Sequence, residues 1–256
     1  MTSCGNDPYK ALKGEFSISE TQKVLFSAGN LQYQASTKTY RFAPNQYDII
    51  GEPNSNVSAT YDGWIDLLSK GPADDPTFAG TNAYDNPEFY EFGKSLGEKS
   101  TWRTLSRDEW KYLVEQRPDA EKKHGVAAVN GVNGLIILPD SFTLPEGLTF
   151  KNGTSTGGGI LNEETDEKPY NKYYKNQNSY TAEEWIKMEE AGAVFLPAAG
   201  YRFGQKIWKV GEEGYYRGNP LGEKDSYHIN FSAYNIGYPF EVPTWGQSLR
   251  LVKPLQ

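Results

Sequence analysis

Cysteine occurs once in this chain, at Cys4, and that scarcity removes several chemistries at once. No disulfide can close within the chain, no cysteine-cluster metal site can form, and thiolate catalysis is excluded from everything beyond the N-terminal tail. Histidine is almost as rare. His124 and His228 stand 104 positions apart, the first after Lys122-Lys123 in an expected polar loop, which argues against a shared metal site. Long apolar runs are missing too, and no stretch reaches the roughly 18 residues needed to span a bilayer. There is no excess of positive charge. The formal net charge of −7 gives no electrostatic pull toward nucleic acid or an anionic membrane. The glycine-rich segment Gly153-Thr154-Ser155-Thr156-Gly157-Gly158-Gly159 is not followed by Gly-Lys-Ser/Thr, so it is no P-loop. A Gly-x-Ser-x-Gly nucleophile elbow is absent as well.

What is present is aromatic. Phe, Trp and Tyr make up 14% of a chain whose hydrophobic share is only 37%, a composition too aromatic for disorder. With 26 Gly and 15 Pro, much of the chain must be turn and loop. Its 256 residues suffice for one large domain or two small ones.

Residues 1–13 read as a flexible tail and 14–256 as a single domain. Alternation predicts strands at Glu15–Ser19, Val24–Ser27, Leu31–Gln34 and Tyr40–Phe42, the last two joined across Ser36-Thr37-Lys38. Residues 51–100 read as a long loop whose only strongly apolar stretch is Gly63-Trp64-Ile65-Asp66-Leu67-Leu68. Two capping boxes, Ser106-Arg107-Asp108-Glu109 and Thr181-Ala182-Glu183-Glu184, each precede a Trp and predict two helices. The first should run over Arg107–Gln116 and bury Trp110, Leu113 and Val114. The second should reach Ala191, bury Trp185, Ile186 and Met188, and stop at Gly192. The apolar runs Gly134–Pro139 and Gly192–Pro197 read as buried strands. Tyr201–Gly204 and Lys206–Val210 read as a hairpin, and Ser226–Phe231 and Ser248–Val252 as the last strands. This order of elements predicts an α+β domain with a small, mostly antiparallel sheet, two helices and long loops.

Several segments carry a resemblance. Trp102-Arg103-Thr104-Leu105-Ser106-Arg107-Asp108-Glu109-Trp110-Lys111-Tyr112-Leu113, Phe195-Leu196-Pro197-Ala198-Ala199-Gly200-Tyr201-Arg202 and the frame from Gly214-Tyr215-Tyr216 to Ser248-Leu249-Arg250-Leu251-Val252 resemble the formylglycine-generating-enzyme (sulfatase-modifying-factor) family. Phe26–Tyr33, Gly63–Leu67, Ala128–Leu135 and Gly192–Pro197 are similar to segments of a large group of secreted Bacteroidetes proteins. The resemblance covers Gly14 to the end. It implies a C-type-lectin-like fold of the formylglycine-generating-enzyme subtype, with a small twisted sheet. It does not extend to that family's oxidase activity, whose cysteines lie in the C-terminal half, where this chain has none. Ser3-Cys4-Gly5-Asn6-Asp7 resembles the mature end of Bacteroidetes lipoproteins, which would make Cys4 the lipidation residue of an extracytoplasmic, surface-anchored protein, although no apolar signal segment stands ahead of it in the sequence. The same C-terminal frame occurs in variable proteins diversified by retroelements, which scatter Asn, Tyr and Ser over a ligand face. Here Arg217-Gly218-Asn219 stands where the closer relatives carry Trp-Ser-Ser.

The expected function is non-catalytic recognition of a protein or glycan ligand. Residues 201–256 hold six Tyr, two Trp and three Phe, a richer share than the chain as a whole, and such side chains give contact area at low entropy cost. In Tyr227–Ser232, Ile229 and Phe231 are expected to point inward and His228, Asn230 and Ser232 outward. The expected ligand residues are Arg217, Asn219, His228, Asn230, Tyr234, Asn235, Tyr238, Phe240 and Trp245. Nucleic acid is not an expected partner, and a membrane enters only through a lipid anchor. No cofactor is expected. Loop carboxylates such as Asp74-Asp75 and Glu163–Glu167 leave calcium open, but their spacing matches no EF-hand. Glu52-Pro53-Asn54 spells a lectin tripeptide far upstream of where the fold would use it. The alternative is an enzyme on the same scaffold that works with carboxylates or a bound metal.

Overall fold

An Asn-Gly pair is the strongest short signal for a tight hairpin, and Asn130-Gly131, at φ 48° and 79°, closes one in the middle of this chain. The computed structural model describes residues 9–69, 90–155, 169–219, 227–240 and 244–255. Strands β1 (Phe16–Ser17), β2 (Lys23–Phe26), β3 (Leu31–Gln34), β4 (Thr39–Phe42) and β5 (Trp64–Ile65) precede helix α1 (Arg107–Lys111). The central hairpin β6 (His124–Val129) and β7 (Val132–Ile137) follows, then α2 (Pro169–Gln177), β8 (Ser179–Tyr180), α3 (Ala182–Glu190) and β9 (Val194–Pro197). The C-terminal part holds β10 (Tyr201–Phe203), β11 (Lys206–Trp208), β12 (Glu213–Arg217), β13 (His228–Ser232), β14 (Ile236–Gly237), β15 (Trp245–Gly246) and β16 (Val252–Pro254).

The result is an α+β fold. The described strands form five small sheets rather than the single sheet expected, and every named pairing is antiparallel except β6 with β8. The four-stranded sheet β8-β6-β7-β9 is buried on both faces. Val126, Leu135, Ile137, Val194 and Leu196 meet Phe16, Phe26, Trp110, Tyr216 and Phe231 on one side. Ala127, Val129, Ile136 and Phe195 meet Trp185 and Met188 of α3 on the other. Burial on both faces is why Gly134–Pro139 and Gly192–Pro197 read as unbroken apolar runs rather than alternating ones. A third cluster joins β3, β4 and β5 to Phe92, Trp102, Leu249 and Leu251. β16 pairs with β2, Val252 opposite Phe26.

Both capping boxes form. Ser106 Oγ accepts from the Glu109 amide at 3.2 Å while Glu109 accepts from the Ser106 amide at 2.8 Å. Thr181 and Glu184 repeat the pair at the same distances. α1 relaxes into a π-helical turn over Tyr112–Gln116, still burying Leu113 and Val114. α3 ends in a Schellman motif, with Ala193 N donating to Met188 O, Gly192 N to Glu189 O, and Gly192 at φ 97°.

Four expectations need correction. Ile186 is 56% exposed, because α3 turns Trp185 and Met188, not Ile186, onto the sheet. Among the described residues there are three α-helices, not two. α2 was invisible because its few apolar residues are tyrosines in a polar sequence, although Tyr174 is fully buried and donates to Glu212 O at 2.9 Å. His124 opens strand β6 instead of lying in a loop, its ring bonded to Ala120 O at 3.0 Å. The last strand begins at Val252, while Ser248–Leu251 run buried through the centre of the fold.

Candidate ligand-binding face

β12 and β13 pair with Tyr216 opposite Ile229 and Gly214 opposite Phe231, so one face of that hairpin joins the core. The other face carries Glu213, Tyr215 and Arg217 on β12 with His228, Asn230 and Ser232 on β13. The alternation of Ile229 and Phe231 is as expected. Its outward half is only partly open, because residues 244–248 lie over the Arg217–His228 end. Arg217 Nη2 donates to Trp245 O at 2.6 Å, and Gln247 Nε2 lies 3.3 Å from His228 Nδ1. Arg217 and His228 are therefore interior residues, correcting their assignment to the ligand surface. Alternation fixes which side of a strand a residue takes; it does not say what covers that side.

The remaining expected residues fall into separate neighbourhoods. Asn219 is half-buried, donating to Glu91 from its side chain at 3.2 Å and to Leu105 O from its backbone at 2.8 Å. Asn230 stays partly open between Tyr215 and Gly237. Tyr234 packs edge-on against Tyr173 of α2 at 5.0 Å, and Asn235 is exposed beside it, accepting from Ser232 Oγ at 2.7 Å. Tyr238 is half-buried against the main core. Phe240 is 54% exposed and meets the edge of Tyr227, whose ring also carries the Arg107 guanidinium at 4.5 Å. Cys4 lies outside the described residues.

Trp245 is brought together with residues of the hairpin expected over Tyr201–Gly204 and Lys206–Val210. In the sheet β11-β10-β15, Tyr201 stands opposite Trp208, and Phe203 opposite both Lys206 and Trp245. Cross-strand partners share a face, so Tyr201, Phe203, Lys206, Trp208 and Trp245 all project from one side. Trp245 and Tyr201 stack at 3.9 Å with planes 10° apart, and Tyr215 meets both rings edge-on. Tyr215 donates a short hydrogen bond to Glu213; burial first, then that carboxylate, push its phenol well above the usual range. Trp208 is 47% exposed. The period-2 spacing of Tyr201 with Phe203 and of Lys206 with Trp208 was the signal that could have found this face.

Beneath it lies a buried polar frame. Arg202, on the inner face of β10, donates to Leu67 O at 3.3 Å and Gly204 O at 2.9 Å, and Arg217 reaches Leu68 O at 3.3 Å. Burial, reinforced by Arg202, lowers the Arg217 pKa to about 9. Burial and the Arg217 charge bring His228 down to about 4, so its ring is neutral at pH 7. The Leu67-Leu68 backbone is fixed from below by Asn54. Its Oδ1 accepts from the amides of Asp66 and Leu67 at 2.9 and 3.1 Å, while its Nδ2 donates to Asp66 Oδ1 at 2.8 Å. Asn54 is thus fully engaged and buried, so the asparagine of the lectin-like tripeptide is not presented to a ligand. Asp66 also accepts from Ile50 N at 3.0 Å; burial raises its pKa to about 6, and those hydrogen bonds oppose the rise.

Among the described residues no group of three His, Cys, Asp or Glu could hold a metal ion, and no helix is long and apolar enough to cross a membrane. No family model, curated protein or solved structure matches this chain.

Proposed function

We propose that this protein is a non-catalytic recognition module that holds a protein or glycan ligand on the aromatic face of β10, β11 and β15. The observation that carries the reading is the Tyr201–Trp245 stack with Trp208 open beside it. Rings braced against each other lose little freedom on binding, and Trp and Tyr are the residues most often found as binding anchors. Lys206 gives the patch a polar rim, and the buried frame of Arg202, Arg217, Gln247 and His228 holds its backbone rigid.

The same proposal includes the C-type-lectin-like fold of the formylglycine-generating-enzyme subtype, similarity to retroelement-diversified variable proteins, and extracytoplasmic placement with a lipid on Cys4. Its support is the set of sequence motifs, the two capping boxes and the pairing of the last strand with β2. No cofactor is part of it.

The test combines a glycan array with photo-crosslinking from position 206 on the cell surface. A saturable glycan signal or a discrete protein adduct should appear and be lost in Trp208→Ala, with the melting temperature unchanged because Trp208 is half exposed. Signals indifferent to Trp208→Ala, or no signal in either format, would refute the reading.

A further inference from the structure

A concave site distinct in its lining from the aromatic face lies between the tip of the β6–β7 hairpin, α2 and the start of α3. Its volume is about 470 Å³, within the roughly 300–1,000 Å³ usual for small-molecule sites. Asn130, Asn133, Asn171, Lys175, Thr181 and Glu184 line it.

Its floor is rigid. β6 and β8 run parallel with Ala128 opposite Ser179, Ala128 N donates to Asn178 O at 2.9 Å, and Asn130 N donates to Tyr180 O at 2.9 Å. Asn178 locks the floor from beneath by donating to Val126 O and Lys151 O. The buried Asn133 amide donates both its protons, to Asn171 Oδ1 at 2.7 Å and Gly211 O at 2.8 Å. Asn171 is thereby oriented by its oxygen, and its own Nδ2 has no partner among the described residues. Lys175, one turn further along α2, has no ion-pair partner there either. Opposite them, Glu184 uses Oε2 to accept from Thr181 N and leaves Oε1 open.

Among the described residues, the cleft therefore gathers unspent donors and acceptors on a fixed frame. Its one cation and one carboxylate offset each other, and apart from Ala128 and Gly131 the remaining lining is amide and hydroxyl. That chemistry suits a ligand with many hydroxyls and no net charge. We propose that this cleft is a saccharide subsite for a neutral pyranose ring, independent of the aromatic face. The Tyr180 ring is buried and its hydroxyl is committed to Thr149 O at 2.5 Å, so no exposed ring stands in the cleft for the sugar to stack on. Affinity resting on hydrogen bonds alone should be weak, in the millimolar range.

The experiment is an amide-shift titration of the isotope-labelled chain by NMR. The neutral probes are the methyl glycosides of glucose, galactose and mannose, together with N-acetylglucosamine; glucuronate and glucosamine serve as charged controls. At least one neutral probe should give saturable shifts at Asn130, Gly131, Asn171 and Thr181. Asn171→Ala or Lys175→Met should weaken it about tenfold. Lys175 is exposed, so its variant keeps the fold. No saturation with any neutral probe, saturation indifferent to both variants, or preference for a charged control would each overturn the proposal.

Discussion

Two buried titratable groups with opposite shifts should partly offset each other in this protein's response to acid, and substitution should unmask each of them. Burial, helped by Arg217, holds the His228 pKa at about 4, below the 6.5 of an unperturbed histidine. The unfolded chain takes that proton first, so stability falls as the pH drops through the window between 6.5 and 4. Burial raises Asp66 from 3.8 to about 6. There the folded state takes the proton first, so stability rises as the pH drops from above 6 toward 4. Each pKa unit corresponds to about 1.4 kcal/mol. Between pH 7 and pH 5, linkage gives a loss of about 2 kcal/mol from His228 and a gain of about 1 kcal/mol from Asp66. His228→Gln should remove the loss and tilt the curve toward greater stability in acid. Asp66→Asn should remove the gain and leave the full histidine loss. Each variant carries its own fixed cost, because His228 meets Gln247 and Asp66 accepts from Asn54 and Ile50. The informative quantity is therefore the slope. Urea unfolding of the three proteins at pH 7, 6 and 5 measures it. Parallel curves for all three would refute the assignment of these two groups as buried and oppositely perturbed.

Ser106→Ala and Thr181→Ala should each cost about 1 kcal/mol. The Ser106 change should be the larger, because Ser106 is buried and its box partner Glu109 also binds Arg103 through both oxygens at 2.7 and 2.8 Å; thermal unfolding of the pair compares them. Asn54→Ala should cost about 3 kcal/mol or more, since it strands the buried amides of Asp66 and Leu67 and removes a donor from a buried carboxylate. A loss under about 1 kcal/mol in urea unfolding would mean that water replaces the side chain there.

Local signals were legible where one residue's chemistry suffices to set geometry. The Ser106 and Thr181 boxes start helices because their side chains reach amides three residues on, and Gly192 ends one because it tolerates positive φ. α2 carries no such signal because it is held by tertiary contacts of Tyr174, not by an apolar stripe. The candidate site was legible in half. Trp245 was picked out, and the inward set of Ile229 and Phe231 followed from alternation. Arg217 and His228 look like surface residues in sequence, and only the approach of Trp245, Gln247 and the second arginine buries them.

Taken alone, the sequence determined the α+β character, the starts of α1 and α3 and the stop of α3, the strands with clear periodicity, and the absence of any thiol beyond Cys4. These depend on neighbours within a few positions, or on composition alone. The tertiary structure decided which strands share a sheet, which aromatic rings stack, and which charged groups lose their water. Those outcomes depend on contacts between residues as far apart as Asn30 and Arg250, and nothing in the local pattern of either residue encodes the other. Desolvation makes the difference functional: the same arginine is a ligand contact in water and a structural post in the interior.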